Sequence, residues 1–169
     1  MLSIGHTQKT ILGEIWVAVS ENGLASISFP ASEMDFCEKL QKKYTGLITL
    51  DQKKIEHAAV EIEEYILGQR KKFSLEIDWT FMGIFQQKVL SSTIDIPFGM
   101  IRTYKDIANA IGHPGAARAV GRAEADNPIP IVIPCHRVLG ADGKLHGYSA
   151  GNGLETKKWL LALEGLIIP

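Results

Sequence analysis

The sequence predicts an α/β (α+β) protein in two parts: a small amino-terminal α/β domain with an antiparallel sheet over residues 1–80, and a mostly helical domain over residues 81–169 that contains a helix-turn-helix. Three observations carry this expectation. Runs of β-branched and aromatic residues separated by turn residues fill the start of the chain. Apolar residues recur at helical spacing through the second half. The charge balance also changes at the boundary: residues 1–80 carry 9 Lys and Arg against 12 Asp and Glu, and residues 81–169 carry 9 against 7, a move from −3 to +2. The second part is therefore the one suited to a polyanion, although the 169-residue chain as a whole, at −1, does not announce a nucleic-acid binder.

A hydrophobic content of 46% and a mean hydropathy of +0.04 indicate a soluble globular protein. The first ten residues, MLSIGHTQKT, lack the basic flank and apolar run of a signal peptide, and no segment is apolar enough to span a bilayer, so a cytoplasmic location and no membrane partner are expected. In that reducing setting Cys37 and Cys135 are expected to be free thiols.

In the first part, Thr10–Ser20 and Leu24–Phe29 flank the turn signal Glu21-Asn22-Gly23 and predict a β-hairpin. Pro30 stops the second strand. Ser32, with Asp35 three residues on, caps a helix running to about Tyr44 with Phe36 and Leu40 on one side. Ile48–Leu50 suits another strand. From Asp51 the residues Ile55, Ala58, Ala59, Ile62, Tyr65 and Ile66 recur at helical spacing until Gly68. Phe73–Ile77 alternates apolar and polar side chains as a half-buried strand does. Cys37 and His57 stand in no paired spacing that would hold a metal.

In the second part, Phe81, Ile84, Phe85, Val89 and Leu90 predict a helix to about Ile94, broken by Ile96-Pro97-Phe98-Gly99. Thr103, with Asp106 at the box position, caps a short helix to Gly112; His113-Pro114-Gly115 turns the chain into a second helix from Ala116 to about Ala125. That second helix has no Asn, Gln, Ser or Thr to read base edges in a major groove. Its small residues, Ala117 among them, and its arginines Arg118 and Arg122, four apart on one face, suit close approach to a narrow surface such as the minor groove. Gly121 inside it costs about 1 kcal/mol relative to Ala, which points to a need for that closeness. Alanines packed on a neighbouring helix beside solvated arginines would explain the same pattern.

The stretch Asn127–Arg137 holds the chemistry. Pro128, Pro130 and Pro134 exclude a helix or a regular central strand. With Ile129, Ile131, Val132 and Ile133 between them, a stiff, extended, buried segment is predicted, from whose end Cys135, His136 and Arg137 emerge. Cys135 is read either as core filler or as a reagent. Beyond it lie the turn Val138–Gly143, the Gly-rich Gly147–Gly153, which suits either a close ligand approach or a loose surface loop, and a last helix, Leu154 to about Leu163, burying Leu154 and Leu161. Lys157 and Glu164, seven apart, share nearly one face of it. A carboxylate at a helix carboxy end is opposed by the macrodipole, so Glu164, if buried, wants a partner.

These residues resemble the O6-alkylguanine-DNA alkyltransferases, the methylated-DNA–protein-cysteine methyltransferase family. The resemblance rests on Ile133-Pro134-Cys135-His136-Arg137-Val138, on Arg118-Ala119-Val120-Gly121 with Asn127-Pro128 behind it, on Arg102-Thr103-Tyr104, on Gly147-Tyr148-Ser149, and on Lys157-Lys158-Trp159-Leu160-Leu161 followed by Glu164-Gly165. With the Leu12–Trp16 hairpin segment and the Phe85–Leu90 helix it spans nearly the whole chain. It implies a ribonuclease-H-like first domain and direct reversal of DNA damage. The alkyl group of O6-alkylguanine, and less readily of O4-alkylthymine, would pass irreversibly from double-stranded DNA to Cys135, once per molecule, with the target base flipped through the minor groove.

The roles it implies are these. His136 acts as base through a water, oriented by Glu164; Arg118 takes the place of the flipped base; Tyr104 crowds the target phosphate and donates toward N3, with Lys157 in support. The Ser149 backbone meets O6 next to Tyr148, the carbonyls of Cys135 and Val138 accept from the exocyclic amine, and Asn127 ties the hinge before the cysteine. Ala117 and Arg122 complete the DNA-facing helix. The resemblance implies no cofactor, no metal, and a monomer, with cooperative binding along DNA left open. Two departures stand out: Ala150–Gly153 looks longer than in relatives, and the ligands of the zinc-binding relatives are unmatched. A branch that binds lesions without repairing them has Trp where this chain has Cys135.

Overall fold

The computed structural model describes residues 1–168 and divides into two compact units, Met1–Phe81 and Met82 to the carboxy terminus. The first is a sheet covered by helices and the second is mostly helical, so the α/β class holds.

The first unit contains β1 (Leu2–His6), β2 (Trp16–Ser20), β3 (Gly23–Ser28), α1 (Glu33–Gln41), β4 (Ile48–Leu50) and α2 (Gln52–Ile66). The sheet order is β3-β2-β1-β4. The hairpin β2–β3 forms as expected, turning at Gly23. Its first strand begins at Trp16 and not at Thr10, because residues 10–13 close a tight turn on themselves through paired Thr10 and Gly13 backbone bonds. The sheet is mixed and not purely antiparallel: β1 runs antiparallel to β2, but β4 returns through the α1 crossover and pairs parallel to β1.

Strand β1 has no counterpart in the expectation from sequence. Ser3 and Gly5 break its alternation, yet four of its five residues are buried. A Cβ on Gly5 would stand 2.5 Å from Gln52 Oε1 and 2.6 Å from Ile55 Cγ1, so glycine lets α2 lie directly on the sheet.

Helix α1 carries the Ser32–Asp35 capping box, and α2 is capped by Asp51 and buries Ile55, Ala58, Ala59, Ile62, Tyr65 and Ile66. Burying an isoleucine such as Ile55 contributes about 1.5–3 kcal/mol. The core between α1 and the sheet is Leu2, Ile4, Trp16, Ala18, Ala25, Phe36 and Leu40. Phe73–Ile77 alternates half-buried and exposed side chains as predicted, but pairs only at Ile77, opposite Leu24, and forms no strand. It is pinned instead by the buried Glu61 carboxylate, which accepts from Ser74 N at 2.8 Å and from the Ser74 hydroxyl and faces Arg70 at 3.2 Å.

The second unit contains α3 (Ile84–Ile94), β5 (Arg102–Thr103), α4 (Tyr104–Ala110), α5 (Ala117–Ala125), β6 (Val138–Leu139) and α6 (Leu154–Leu163). Helix α3 starts three residues later than predicted, capped by Gly83, and leaves Ile84 78% exposed while Val89 and Leu90 are buried. Helices α4 and α5 flank the His113-Pro114-Gly115 turn, α4 opening on the Thr103–Asp106 capping box. In α6 the buried stripe is Thr156, Lys157, Leu160 and Leu161; Leu154, expected inside, stands in the exposed first turn.

The proline-rich stretch departs most from the expected straight segment. Ile133 N donates to Ile129 O at 2.9 Å, Pro130 bridges Ile133, and Ile131 adopts φ +77°, so the chain folds back on itself. A β-branched residue in the left-handed region costs about 1–2 kcal/mol. Complete burial of Ile129, Ile131 and Ile133 offsets it. Nor do Cys135, His136 and Arg137 emerge: they form a buried 3₁₀ turn leading into β6, which pairs in parallel with β5. No helix among the described residues is long and apolar enough to cross a membrane.

The cap of α4 is testable. Thr103→Ala removes the acceptor for Asp106 N and is expected to lower stability by about 1 kcal/mol in urea unfolding; an unchanged midpoint would show that the box contributes nothing.

Candidate active site

The turn at Cys135–Arg137 and the end of α6 meet in one buried network. Glu164, the residue after α6, places Oε1 2.8 Å from His136 Nε2 and takes three further hydrogen bonds from Arg137, Nε to both oxygens at 2.9 and 3.1 Å and Nη2 to Oε1 at 2.8 Å. Gly99 N donates to Oε2 at 2.9 Å. Gly99 has φ +74°, a conformation glycine adopts freely, and this turns its N–H onto the carboxylate. Arg137 also reaches the carbonyl of Ile96 and lies 5.9 Å from the Phe98 ring centroid. Its charge balances that of Glu164.

His136 is fully buried, and burial holds its pKa below the ordinary imidazole value despite the opposing pull of Glu164. The ring is therefore neutral at pH 7. With Nε2 facing a carboxylate, the proton sits on Nε2 and the lone pair on Nδ1.

Cys135 is 6% exposed and its Sγ accepts from Asn127 Nδ2 at 3.1 Å. The same amide donates to Ile133 O at 3.0 Å, while Asn127 Oδ1 accepts from Ile129 N at 2.9 Å, so one side chain holds both ends of the folded-back segment. Burial, reinforced by the negative charge of Glu124, pushes the thiol pKa up to about 12; Asn127 and Lys157 work the other way. The resting side chain is a thiol.

Lys157 is fully buried and donates to Val138 O at 2.6 Å and His146 O at 3.0 Å, with its Nζ 5.8 Å from the Tyr104 ring centroid. Burial lowers its pKa to about 8. Tyr104 donates to His146 O at 3.1 Å, and its phenol, pushed up to about 12 by burial, stays a donor. The Val138 carbonyl is engaged by Lys157 and the Cys135 carbonyl by Val138 N, each keeping a second lone pair.

Of the remaining residues singled out from sequence, Tyr148 is half-buried, and Ser149 is exposed with its hydroxyl donating to Ala125 O. On α5 Ala117 is half-buried and Arg118 exposed, while Arg122 pairs with Asp126 at 3.0 Å. A Cβ at Gly121 would meet the Tyr104 ring at 3.8 Å, an ordinary contact, so packing within the protein does not require that glycine.

Three participants escaped the sequence reading. Arg137 was visible in the motif but had no assigned task, Gly99 lies 65 residues from its partner, and Glu124 looked like one more helix-surface carboxylate. Only Arg137 carried a signal, being adjacent to His136.

A buried thiol next in sequence to a carboxylate-bound imidazole, in a mostly helical unit that follows a small sheet domain, is the arrangement the structure presents. The chain belongs to the 6-O-methylguanine DNA methyltransferase family, whose ribonuclease-like domain model matches residues 5–79 and whose DNA-binding domain model matches residues 84–166. It is 48% identical over 107 residues to a methylated-DNA–protein-cysteine methyltransferase of Mycobacterium tuberculosis, a match that spans 63% of each chain. It is 40% identical over 154 residues to that of Methanosarcina barkeri, spanning 90% of this chain and 91% of the relative. Among solved structures, the M. tuberculosis O6-methylguanine methyltransferase superposes with a TM-score of 0.81 at 35% identity, covering 97% of this chain and 93% of that one. The M. tuberculosis protein in complex with DNA gives 0.79 at 34%, covering 96% and 91%.

Because Arg137 and Glu164 are buried against each other, removing one leaves an uncompensated charge. Arg137→Met is expected to lower stability by about 3–5 kcal/mol in chemical unfolding. A loss below about 1 kcal/mol, the range of surface pairs, would show that the pair is not desolvated.

Proposed function

We propose that the protein repairs DNA by direct reversal, transferring the alkyl group of O6-alkylguanine, and less readily of O4-alkylthymine, from duplex DNA to Cys135 in a single irreversible turnover. The observation that carries this reading is the Cys135 thiol set one residue from an imidazole whose far nitrogen is held by Glu164. The printed names of the relatives and the DNA-bound crystal structure of the M. tuberculosis protein support it.

In this reading the target base leaves the stack, because its O6 substituent is out of reach within the duplex. Arg118, exposed on α5, fills the vacated place, with Ala117 and Arg122 against the minor groove. Tyr104 crowds the phosphate of the target nucleotide.

The flipped base is then met by Ser149 N at O6, beside Tyr148, and by the carbonyls of Cys135 and Val138 at the exocyclic amine. The thiol proton passes through a water to His136 Nδ1, Glu164 stabilising the imidazolium. Sγ attacks the alkyl carbon in line, the C–O6 bond breaks, and the base departs with that electron pair. Tyr104, backed by the Lys157 ammonium, supplies a proton toward N3, so the leaving group departs neutral. The thioether has no comparable leaving group, and the molecule is spent. The protein acts in the cytoplasm as a monomer, without cofactor or metal.

Incubation with an oligonucleotide bearing O6-methylguanine is expected to add one methyl to the intact mass, located on Cys135, and nothing more with fresh substrate. Tight binding with no gain in mass would overturn transfer in favour of lesion binding alone.

Arg118→Ala is expected to slow repair of duplex DNA while leaving the reaction with free O6-benzylguanine intact. Equal losses on both substrates would refute the base-replacing role.

A further inference from the structure

Glu124 is a buried carboxylate that the transfer scheme above leaves without a task. It lies in α5, 5% exposed, with Oε1 against the Thr93 hydroxyl of α3. That hydroxyl has one proton and also sits 3.0 Å from Val89 O. Oε2 has no hydrogen-bond partner among the described residues. A carboxylate kept only for packing would have both oxygens satisfied, since an orphan buried oxygen costs about 1–3 kcal/mol.

Helix α3 presents the neutral Thr93 to Glu124, and Asn127, whose side-chain amide holds Cys135 Sγ at 3.1 Å, donates its backbone N–H to Glu124 O at 3.2 Å. The charge of Glu124 acts on Tyr104 of α4, Cys135 of the 3₁₀ turn and Lys157 of α6. Arg137 is neutralised by Glu164, and His136 is neutral. One cation, Lys157, therefore serves two acidic groups, the Glu124 carboxyl and the Cys135 thiol. Two like charges sharing a buried site with one counter-ion do not both ionise readily.

We infer that Glu124 is a positioning residue of the transfer reaction: while ionised it holds the Cys135 thiol protonated, and its neutralisation releases the thiol for attack. The inference rests on the reading of Cys135 as the alkyl acceptor. Burial pushes the Glu124 pKa up to about 7, so the residue changes charge within the working range of the protein. As pH rises through that range the gain in thiolate is opposed by the growing charge beside it. The site is restrained where an unrestrained thiol would grow steadily more reactive toward adventitious electrophiles.

The test follows the iodoacetamide alkylation rate of Cys135 in the full-length protein against pH, peptide mapping separating it from Cys37. The wild-type profile is expected to flatten around neutrality. Glu124→Gln keeps the side-chain volume and a hydrogen bond to Thr93, so its profile should rise without the bend. At pH 8 it should react about threefold faster, because each tenfold gain in thiolate is offset about threefold by lower intrinsic nucleophilicity. Glu124→Asp, which keeps the charge, should restore the bend, a result that loss of packing alone does not produce.

A wild-type profile with no bend, or identical profiles for wild type and Glu124→Gln, would overturn the inference. O6-benzylguanine run in parallel separates the two readings. Failure to place a benzyl group on Cys135 would count against alkyl transfer while the iodoacetamide profiles still report on Glu124.

Discussion

The second unit depends on one carboxylate. Glu164 follows the last turn of α6, where the helix dipole disfavours a negative charge, and it is buried. It is tolerable there only because Arg137, His136 and Gly99 together supply five hydrogen-bond contacts. Those donors come from the 3₁₀ turn and from the loop after α3, so the requirement to satisfy one anion draws three separate pieces of chain together. Cys135 inherits its place from that arrangement, being the first residue of the same turn.

The two buried ion systems of this unit do opposite things. Arg137 with Glu164 is a closed pair, geometrically saturated, and leaves His136 neutral with a lone pair on Nδ1. Lys157 is open: its partners are two carbonyls and the charge of whichever acid nearby has ionised. A saturated pair confers rigidity, whereas a cation with carbonyl partners can answer a change of charge without moving. The Arg137–Glu164–His136 arrangement is therefore fixed, and the thiol environment is adjustable.

Local chemistry made much of this legible from sequence. The two capping boxes, the apolar spacing of α2, the hairpin turn at Gly23 and the helices on either side of His113-Pro114-Gly115 follow from residue patterns close together in the sequence, and they form where expected. What was not legible depends on distance or on opposing rules. Strand β1 hides behind Ser3 and Gly5, and the smallness of Gly5 is required by the distant α2, at Gln52 and Ile55. Phe73–Ile77 has the right alternation but meets the edge strand β3 only at its last residue, Ile77 opposite Leu24. The proline-rich stretch was read as straight because proline fixes φ only at its own positions; Ile131, between Pro130 and Val132, makes the turn. The residues placed at the site from motif and resemblance are brought together for Cys135, His136, Asn127 and Glu164 and around Tyr104 and Lys157, whereas the partners that complete the site, Gly99, Thr93 and Glu124, have no local signature.

The depth of Cys135 then has a physical rationale beyond shelter. Under the proposed single-turnover transfer, each wasted alkylation removes a molecule, so a thiolate exposed at rest would be a liability. Burial and a neighbouring acid keep the proton on sulfur. In the proposed transfer His136, one residue away and held by Glu164, takes that proton, and the buried Lys157 favours the anion. What is missing at rest is an electrophile held in line. A flipped base would bring that electrophile and exclude the remaining water, strengthening the pull of Lys157 on the forming thiolate. In that scheme reactivity is tied to binding of the flipped base and not to the intrinsic acidity of the thiol.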